Sequence, residues 1–146
     1  MEKKKNNVNQ NVSAKELFAG IVNKDPEALA MFGDMMLNSG IVSEALVWYN
    51  EAAIRGSSRA CVEIGKLCCS FNNGIEPDFT TGFGFFLKAH YMGNLDGTKN
   101  VALCYIRGAG VRKNLRQARL WIDKLSNTDY DKNEVDSLYD YLKKVI

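Results

Sequence analysis

Residues 104–121 read CYIRGAGVRKNLRQARLW. An apolar helical pattern breaks there at two glycines and a valine, then resumes within a few residues. A catalytic loop, a phosphate-binding loop and a plain helix-to-helix turn all open with such a break. The surrounding chain decides between them.

That chain repeats itself. The segments EALAMFGDMM from Glu27, RACVEIGKLC from Arg59 and DGTKNVALCY from Asp96 each place one small residue five positions ahead of another: Ala28 and Gly33, Ala60 and Gly65, Gly97 and Ala102. A second set follows, in which Ala45, Gly82 and Ala118 each precede a large aromatic by three residues: Trp48, Phe85 and Trp121. The second set recurs at intervals of 37 and 36 residues, the first at 32 and 37, so the first repeat is shorter by about five residues between its halves. The connection Asn38-Ser39-Gly40-Ile41-Val42 is correspondingly tight.

Each half has the spacing of an amphipathic helix. Ala28, Leu29, Phe32, Gly33 and Met36 show it in the first half, and Ala45, Trp48, Tyr49, Ala52 and Ala53 in the second. Asp25-Pro26 reads as an N-cap followed by proline at the first helical position. Ser43, Ser57 or Ser58, Asp78 and Asn114 are expected to cap the helices that follow them. Gly56 and Gly93 suit the left-handed residue that ends a helix. Glycine or alanine at fixed places lets two helix axes close to about 8–10 Å, with the aromatic one turn away filling the wedge between one pair and the next. On this reading Gly108-Ala109-Gly110-Val111 is the turn inside the third repeat, with Val111 tucked under the hairpin.

These residues resemble the Sel1-like repeat, a relative of the tetratricopeptide repeat with the pattern A-x4-G-x2-Y-x2-G-x-GV-x2-D/N-x3-A-x2-W-x2-KA-x3-G. The third repeat matches through Ala102, Tyr105, Gly108, Gly110, Val111, Asn114, Ala118, Trp121 and Lys124. The second matches through Ala60, Gly65, Gly74, Ile75, Asp78, Phe85, Lys88, Ala89 and Gly93, and the first, degenerate at its turn, through Ala28, Gly33, Ala45, Trp48, Tyr49, Ala52, Ala53 and Gly56. Gly82 and Gly84 depart from the pattern, each costing a helix about 1 kcal/mol relative to alanine. The resemblance implies an all-α fold, an α–α superhelix or solenoid of three helix-turn-helix repeats with a capping helix at each end. The repeats are expected at about 27–56, 57–93 and 94–126, within one domain over 13–146. Leu17, Phe18, Ile21 and Val22 give Ser13–Asn23 an apolar side. Asp131-Lys132-Asn133-Glu134 is a candidate capping box opening a helix over about 131–145 with Val135, Leu138, Tyr139, Leu142 and Val145 inward. That helix either caps the array or folds into its groove.

The 146 residues carry a formal net charge of +2, with 46% hydrophobic and 25% charged residues. That balance is ordinary for a globular protein and gives no strong global attraction to nucleic acid or membrane. No run reaches the roughly 18 apolar residues of a membrane span. The start, MEKKKNNVNQNV, has lysines without an apolar segment behind them; residues 1–12 read as a disordered tail and the expected compartment is the cytoplasm.

Enzymatic chemistry is not expected. The one histidine, His90, takes the helical place that Ala53 holds a repeat earlier, which is a packing position. Gly82-Phe83-Gly84 and Gly108-Ala109-Gly110 lack the lysine, serine and strand of a phosphate loop. Cys61, Cys68, Cys69 and Cys104 lack zinc-site spacing. Cys61 and Cys68 lie about 10 Å apart along one helix, too far for a disulfide, so the four read as reduced, small apolar residues. No catalytic residue, cofactor or metal ligand is assigned.

What remains is binding. In proteins of the family the first helices line a concave face that holds a protein or peptide. Projected by helix register, that face comprises Glu27, Asp34, Arg59, Val62, Lys66, Cys69, Lys99, Leu103 and Arg107. The expected function is an adaptor or scaffold for a protein partner. The alternative is a bacterial immunity or inhibitor protein acting on a secreted toxin or effector. A polyanion or nucleic-acid binder would use Arg107, Arg112, Lys113, Arg116 and Arg119, which have no acid among them between residues 97 and 122. It ranks last, since no aromatic is obviously free to stack on bases.

Overall fold

The computed structural model describes residues 12–146, and residues 1–11 of the expected tail lie outside that range. The described residues contain eight α-helices and no strand. They form two compact units divided between Ser57 and Ser58.

The first unit holds α1 (Ala14–Val22), α2 (Pro26–Asn38) and α3 (Val42–Ile54). Ser13 and Glu16 form a complete capping box at α1, and Asp25 accepts the Ala28 amide at 2.9 Å ahead of Pro26. The helix over α1 is present, but its apolar side is weaker than its sequence implies. Leu17 and Ile21 are half-buried, while Phe18 and Val22 are exposed. α2 and α3 pair as a hairpin through residues 39–41. Ser43 does not cap α3: it lies inside the helix, which starts after Ile41 with no side-chain cap bond. The N-cap position, four residues ahead of Ala45 as Asp78 and Asn114 are ahead of Gly82 and Ala118, is taken by Ile41, which has no side-chain oxygen to accept an amide.

Gly33 is where the hairpin closes. A Cβ at Gly33 would stand 2.7 Å from Cε1 of Tyr49, a fully buried ring. The Tyr49 hydroxyl donates to Asp34 Oδ1 at 2.6 Å, which satisfies it inside the core. Trp48, three residues after Ala45, instead packs edge-on against Phe32 of the same hairpin, with ring centroids 4.6 Å apart.

The second unit holds α4 (Ser58–Cys68), α5 (Phe79–Tyr91), α6 (Leu95–Arg107), α7 (Leu115–Ser126) and α8 (Lys132–Lys144). α4 pairs with α5, α5 with α6, α6 with α7, and α7 with α8. Asp78, Asn94 and Asn114 cap α5, α6 and α7 by accepting amides of Thr81, Asp96 and Gln117. The close approach seen at Gly33 recurs at Gly65, where a Cβ would lie 2.5 Å from Phe86 Cε1. In both hairpins the ring over the glycine belongs to the residue after the one the repeat pattern marks: Tyr49 after Trp48, Phe86 after Phe85. Trp121 does fill a wedge, since it meets His90 of α5 edge-on at 4.6 Å. His90 in turn shares a 2.7 Å hydrogen bond with buried Thr98 of α6, which is the packing role expected of it.

The two irregular glycines of α5 have different reasons. A Cβ at Gly82 would collide with Cys69 Sγ, so glycine is required for α4 and α5 to meet. Gly84 is exposed with nothing within 4 Å of a Cβ, and no contact explains it. The opening stretch is a turn between α6 and α7, as its sequence implies. Gly108 ends α6 in the left-handed conformation (φ 69°), and Gly110 (φ 73°) runs so close to the Phe79 carbonyl that no side chain would fit.

At α8, Asp131 accepts the Asn133 and Glu134 amides, forming the N-cap half of a capping box. The reciprocal bond is absent because Glu134 reaches Lys99 on α6 at 3.0 Å and accepts from the Tyr130 hydroxyl. Val135, Leu138 and Leu142 are buried, and Tyr139 and Val145 half-buried.

Candidate functional site

A cavity of about 530 Å³ opens in the second unit between the first helices of its two hairpins, α4 and α6. Lys66 and Cys69 face it from the end of α4. Asn100, Leu103, Cys104 and Arg107 face it from α6, at the three- and four-residue spacing that puts side chains on one helix face. Phe86 of α5 forms the floor, and Gly108 and Ala109 close one end.

The other wall is the α4–α5 connection, residues 69–78, which supplies Ser70 and Phe71 beside Phe79 at the start of α5. Its backbone is fixed locally. Asn73 donates to the Leu67 carbonyl at 2.9 Å, the Asp78 amide bonds the Cys68 carbonyl at 2.8 Å, and Asn72 and Gly74 take positive φ. Phe71 is 68% exposed yet held against Phe79, with ring centroids 5.6 Å apart.

The cavity's charge is cationic. Lys66 is exposed and engaged with Glu63 at 3.2 Å on the same helix, a weak surface pair. Arg107 is exposed, its guanidinium carbon 5.8 Å from the centre of the Tyr141 ring. Two thiols lie between them. The Cys69 thiol is pulled below its ordinary range by a hydrogen bond from Cys104, with help from the Arg107 charge. Cys104 is pushed up by that same bond and by burial.

Across Leu103 a second hollow of about 310 Å³ separates α6 from α8, lined by Lys99 on one side and by Glu134, Leu138 and Tyr141 on the other. Hydrogen bonds from Lys99, foremost, and Tyr130 hold the Glu134 carboxyl below its ordinary range, against some opposition from burial. α8 contributes no residue to the larger cavity and leaves the α4–α6 groove open.

Of the nine projected binding residues, Lys66, Cys69, Leu103 and Arg107 line the larger cavity, and Lys99 the hollow beside it. Val62 is 3% exposed and offers no surface, and Arg59 is half-buried. Glu27 and Asp34 belong to the first unit, where Glu27 accepts from Ser57 at 3.0 Å and Asp34 from Tyr49. Register projection missed Phe71, Phe79 and Asn100. Asn100 lies one turn from Leu103 on the same face, but Phe71 stands in a loop that helix register cannot reach. The basic run does not form one patch. Arg119 shares a separate hollow with Asp136 and Asp140 and lies 5.6 Å from the Tyr139 ring centre.

Among the described residues no group of three or more His, Cys, Asp or Glu side chains could hold a metal ion. No described helix is long and apolar enough to cross a membrane.

No protein-family model and no curated protein matches the chain. Solved structures do. A Sel1 repeat protein from Oxalobacter formigenes superposes with a TM-score of 0.71 at 24% identity, over 86% of this chain and 96% of that one. A protective antigen present in uropathogenic Escherichia coli strains, displaying the same repeat fold, superposes with a TM-score of 0.71 at 19% identity, over 90% of this chain and 31% of the antigen. The fold expectation is met: the chain is all-α and has the Sel1-like repeat fold of α–α hairpins.

Proposed function

We propose that the chain is a non-enzymatic adaptor that binds a protein segment in the α4–α6 cavity. The observation that carries this reading is an open cavity of about 530 Å³ with an aromatic and aliphatic lining and cationic Lys66 and Arg107. That volume suits the side chains of a short peptide, and polar groups such as Asn100 can fix its orientation. The walls are two regular helices and a hydrogen-bonded loop, so little ordering cost falls on the receptor. Phe71 and Leu103 supply apolar contact, and the cations favour a segment carrying an acidic residue near an apolar one.

Peptide display on the purified chain tests this. Selected sequences should bind the wild type, lose roughly tenfold or more with Leu103→Glu, and lose about fivefold with Lys66→Glu or Arg107→Glu, the effect of about 1 kcal/mol at an exposed charge. Selected peptides indifferent to all three changes would refute the cavity as the site. Heparin binding with steep salt dependence, lost with Arg112→Glu and Arg116→Glu, would favour polyanion binding instead.

A further inference from the structure

We propose that α1 is a self-association surface, through which two copies of the chain pair antiparallel about a two-fold axis near Gly20. α1 lies in the first unit and lends no residue to the α4–α6 cavity, so the inference stands apart from the binding reading.

α1 is short and mostly apolar, AKELFAGIV, yet none of its residues is buried. One side is given to α2. A Cβ at Gly20 would stand 2.5 Å from Ala28 Cβ, and Leu17 and Ile21, to either side of that contact, are half-buried. Phe18 and Val22 stand two residues before and after Gly20, about 160° around the helix from it, and so point away from α2. They are one turn apart on a single face, and they are 69% and 62% exposed. Met35 falls two turns after Ala28, on the side of α2 that α1 packs against, and it too is exposed, as is Val12 ahead of α1. The face is ordered. The Ser13–Glu16 capping box fixes the start of α1, and past its end the Asp25 amide bonds the Gly20 carbonyl at 2.8 Å.

Three observations select a second copy as the occupant. The first is charge. Lys15, Glu16, Lys24 and Asp25 flank the apolar pair. When two copies run antiparallel with Phe18 opposite Val22 of the other copy, the same register sets Lys15 opposite Asp25 and Glu16 opposite Lys24. A parallel pairing would set each charge against its like, which repels. The second is the preceding segment. Residues 1–11, MEKKKNNVNQN, hold Met1 and Val8 as their apolar side chains beside three consecutive lysines, a poor cover for a phenyl ring and a valine. The third is the last helix. α8 exposes Lys132, Asp136, Asp140 and Lys143, so α1 of one copy finds little apolar seat there on another. Pairing of α1 with α1 uses the same patch on both copies and closes at two.

The contact is small. Nine residues of helix span about 13.5 Å, which falls short of the roughly 1,200 Å² of a stable complex. The dimer is therefore a weak one, half-formed at about 10–100 µM.

The test uses the purified full chain. Sedimentation equilibrium should show monomer and dimer with no higher species, and Phe18→Glu should weaken the dimer at least about tenfold. Val47→Glu, at a comparably exposed position on α3, should leave it unchanged. Lys15→Glu/Lys24→Glu sets acid against acid at each charged pair. It should weaken the dimer about fivefold at low ionic strength, and the difference from wild type should close in about 1 M salt. Carbodiimide added to an equal mixture of unlabelled and nitrogen-15-labelled chains should yield mixed-isotope peptides joining Lys15 to Asp25 and Lys24 to Glu16. Circular dichroism confirms that each variant is folded. A chain that stays monomeric up to about 1 mM, association that survives Phe18→Glu, or mixed-isotope cross-links running through α8 would overturn the proposal. So would association that tightens when residues 1–11 are removed, since those residues would then be the occupant.

Discussion

Replacing Gly65 with alanine adds one methyl group to a helix and should nevertheless destabilise the protein. The new Cβ would lie 2.5, 2.7 and 2.9 Å from three atoms of the Phe86 ring, where ordinary contact begins at 3.4 Å. The ring must withdraw by about 1 Å, and at 3% exposure it has no free space to enter. Overpacking of this kind costs about 1–3 kcal/mol. Alanine returns about 1 kcal/mol of helix propensity, so the net loss is on the order of 1 kcal/mol and at most about 2. Gly84→Ala is the matched control. It sits in the next helix, is exposed and meets nothing within 4 Å, so it should gain close to the full propensity term, about 0.5–1 kcal/mol. At about 2–4 °C per kcal/mol for a chain of this size, the two Tm values should separate by roughly 3–8 °C in opposite directions from wild type, read by circular dichroism at the helix band. Phe86→Leu should be costly in the wild type and less so in Gly65→Ala, with a coupling of about 1 kcal/mol. If Gly65→Ala melts at or above wild type, or the double variant shows no coupling, the account of how α4 and α5 close is wrong.

Lowering the pH should weaken the fold through His90. Burial, aided by the Lys124 charge, holds its folded pKa below the ordinary value near 6.5. Its contribution is therefore complete above that value and is lost as pH falls through the folded pKa. Urea midpoints at neutral and mildly acidic pH should show a steeper decline for the wild type than for His90→Gln. Tyr49→Phe should cost about 1.5–3 kcal/mol in thermal unfolding, because it removes the hydroxyl that donates to the Asp34 carboxylate at 2.6 Å and leaves the ring in place. Asn114→Ala should cost about 1 kcal/mol by freeing the Gln117 amide, while Ser43→Ala should be nearly silent because Ser43 caps nothing.

Those last two substitutions show what the sequence discloses. Helices and hairpins are legible because one residue type recurs for one steric reason, as at Gly33 and Gly65, and the repeat makes each instance testify to the other. Asn114 is a readable cap because a full turn precedes it. Ser43 misleads because the repeat register places the cap four residues ahead of Ala45, at Ile41, as Asp78 and Asn114 stand ahead of Gly82 and Ala118, and isoleucine has no oxygen to offer. The ring that covers each glycine is shifted by one residue from the conserved-looking aromatic, a rotation of about 100° that helical spacing does not fix. Lys66, Leu103 and Arg107 are found by register because they lie on regular helices. Phe71 is missed because a loop has no register. Gly82 carried a signal: a helix glycine in a costly place reports that something approaches closely.

The outer side of α8 carries Lys132, Asp136, Asp140 and Lys143, all exposed, while its inner side supplies Val135, Leu138 and Leu142 to the core. Stacked hairpins have no inherent stopping point, since each presents the next with the kind of greasy ledge it rests on itself. α8 occupies the ledge that α7 presents and turns charged side chains outward, which offers a second copy little apolar surface to sit on. Chains cut before Asp131 should consequently join end to end into filaments or amorphous strings at concentrations where the whole protein stays dispersed.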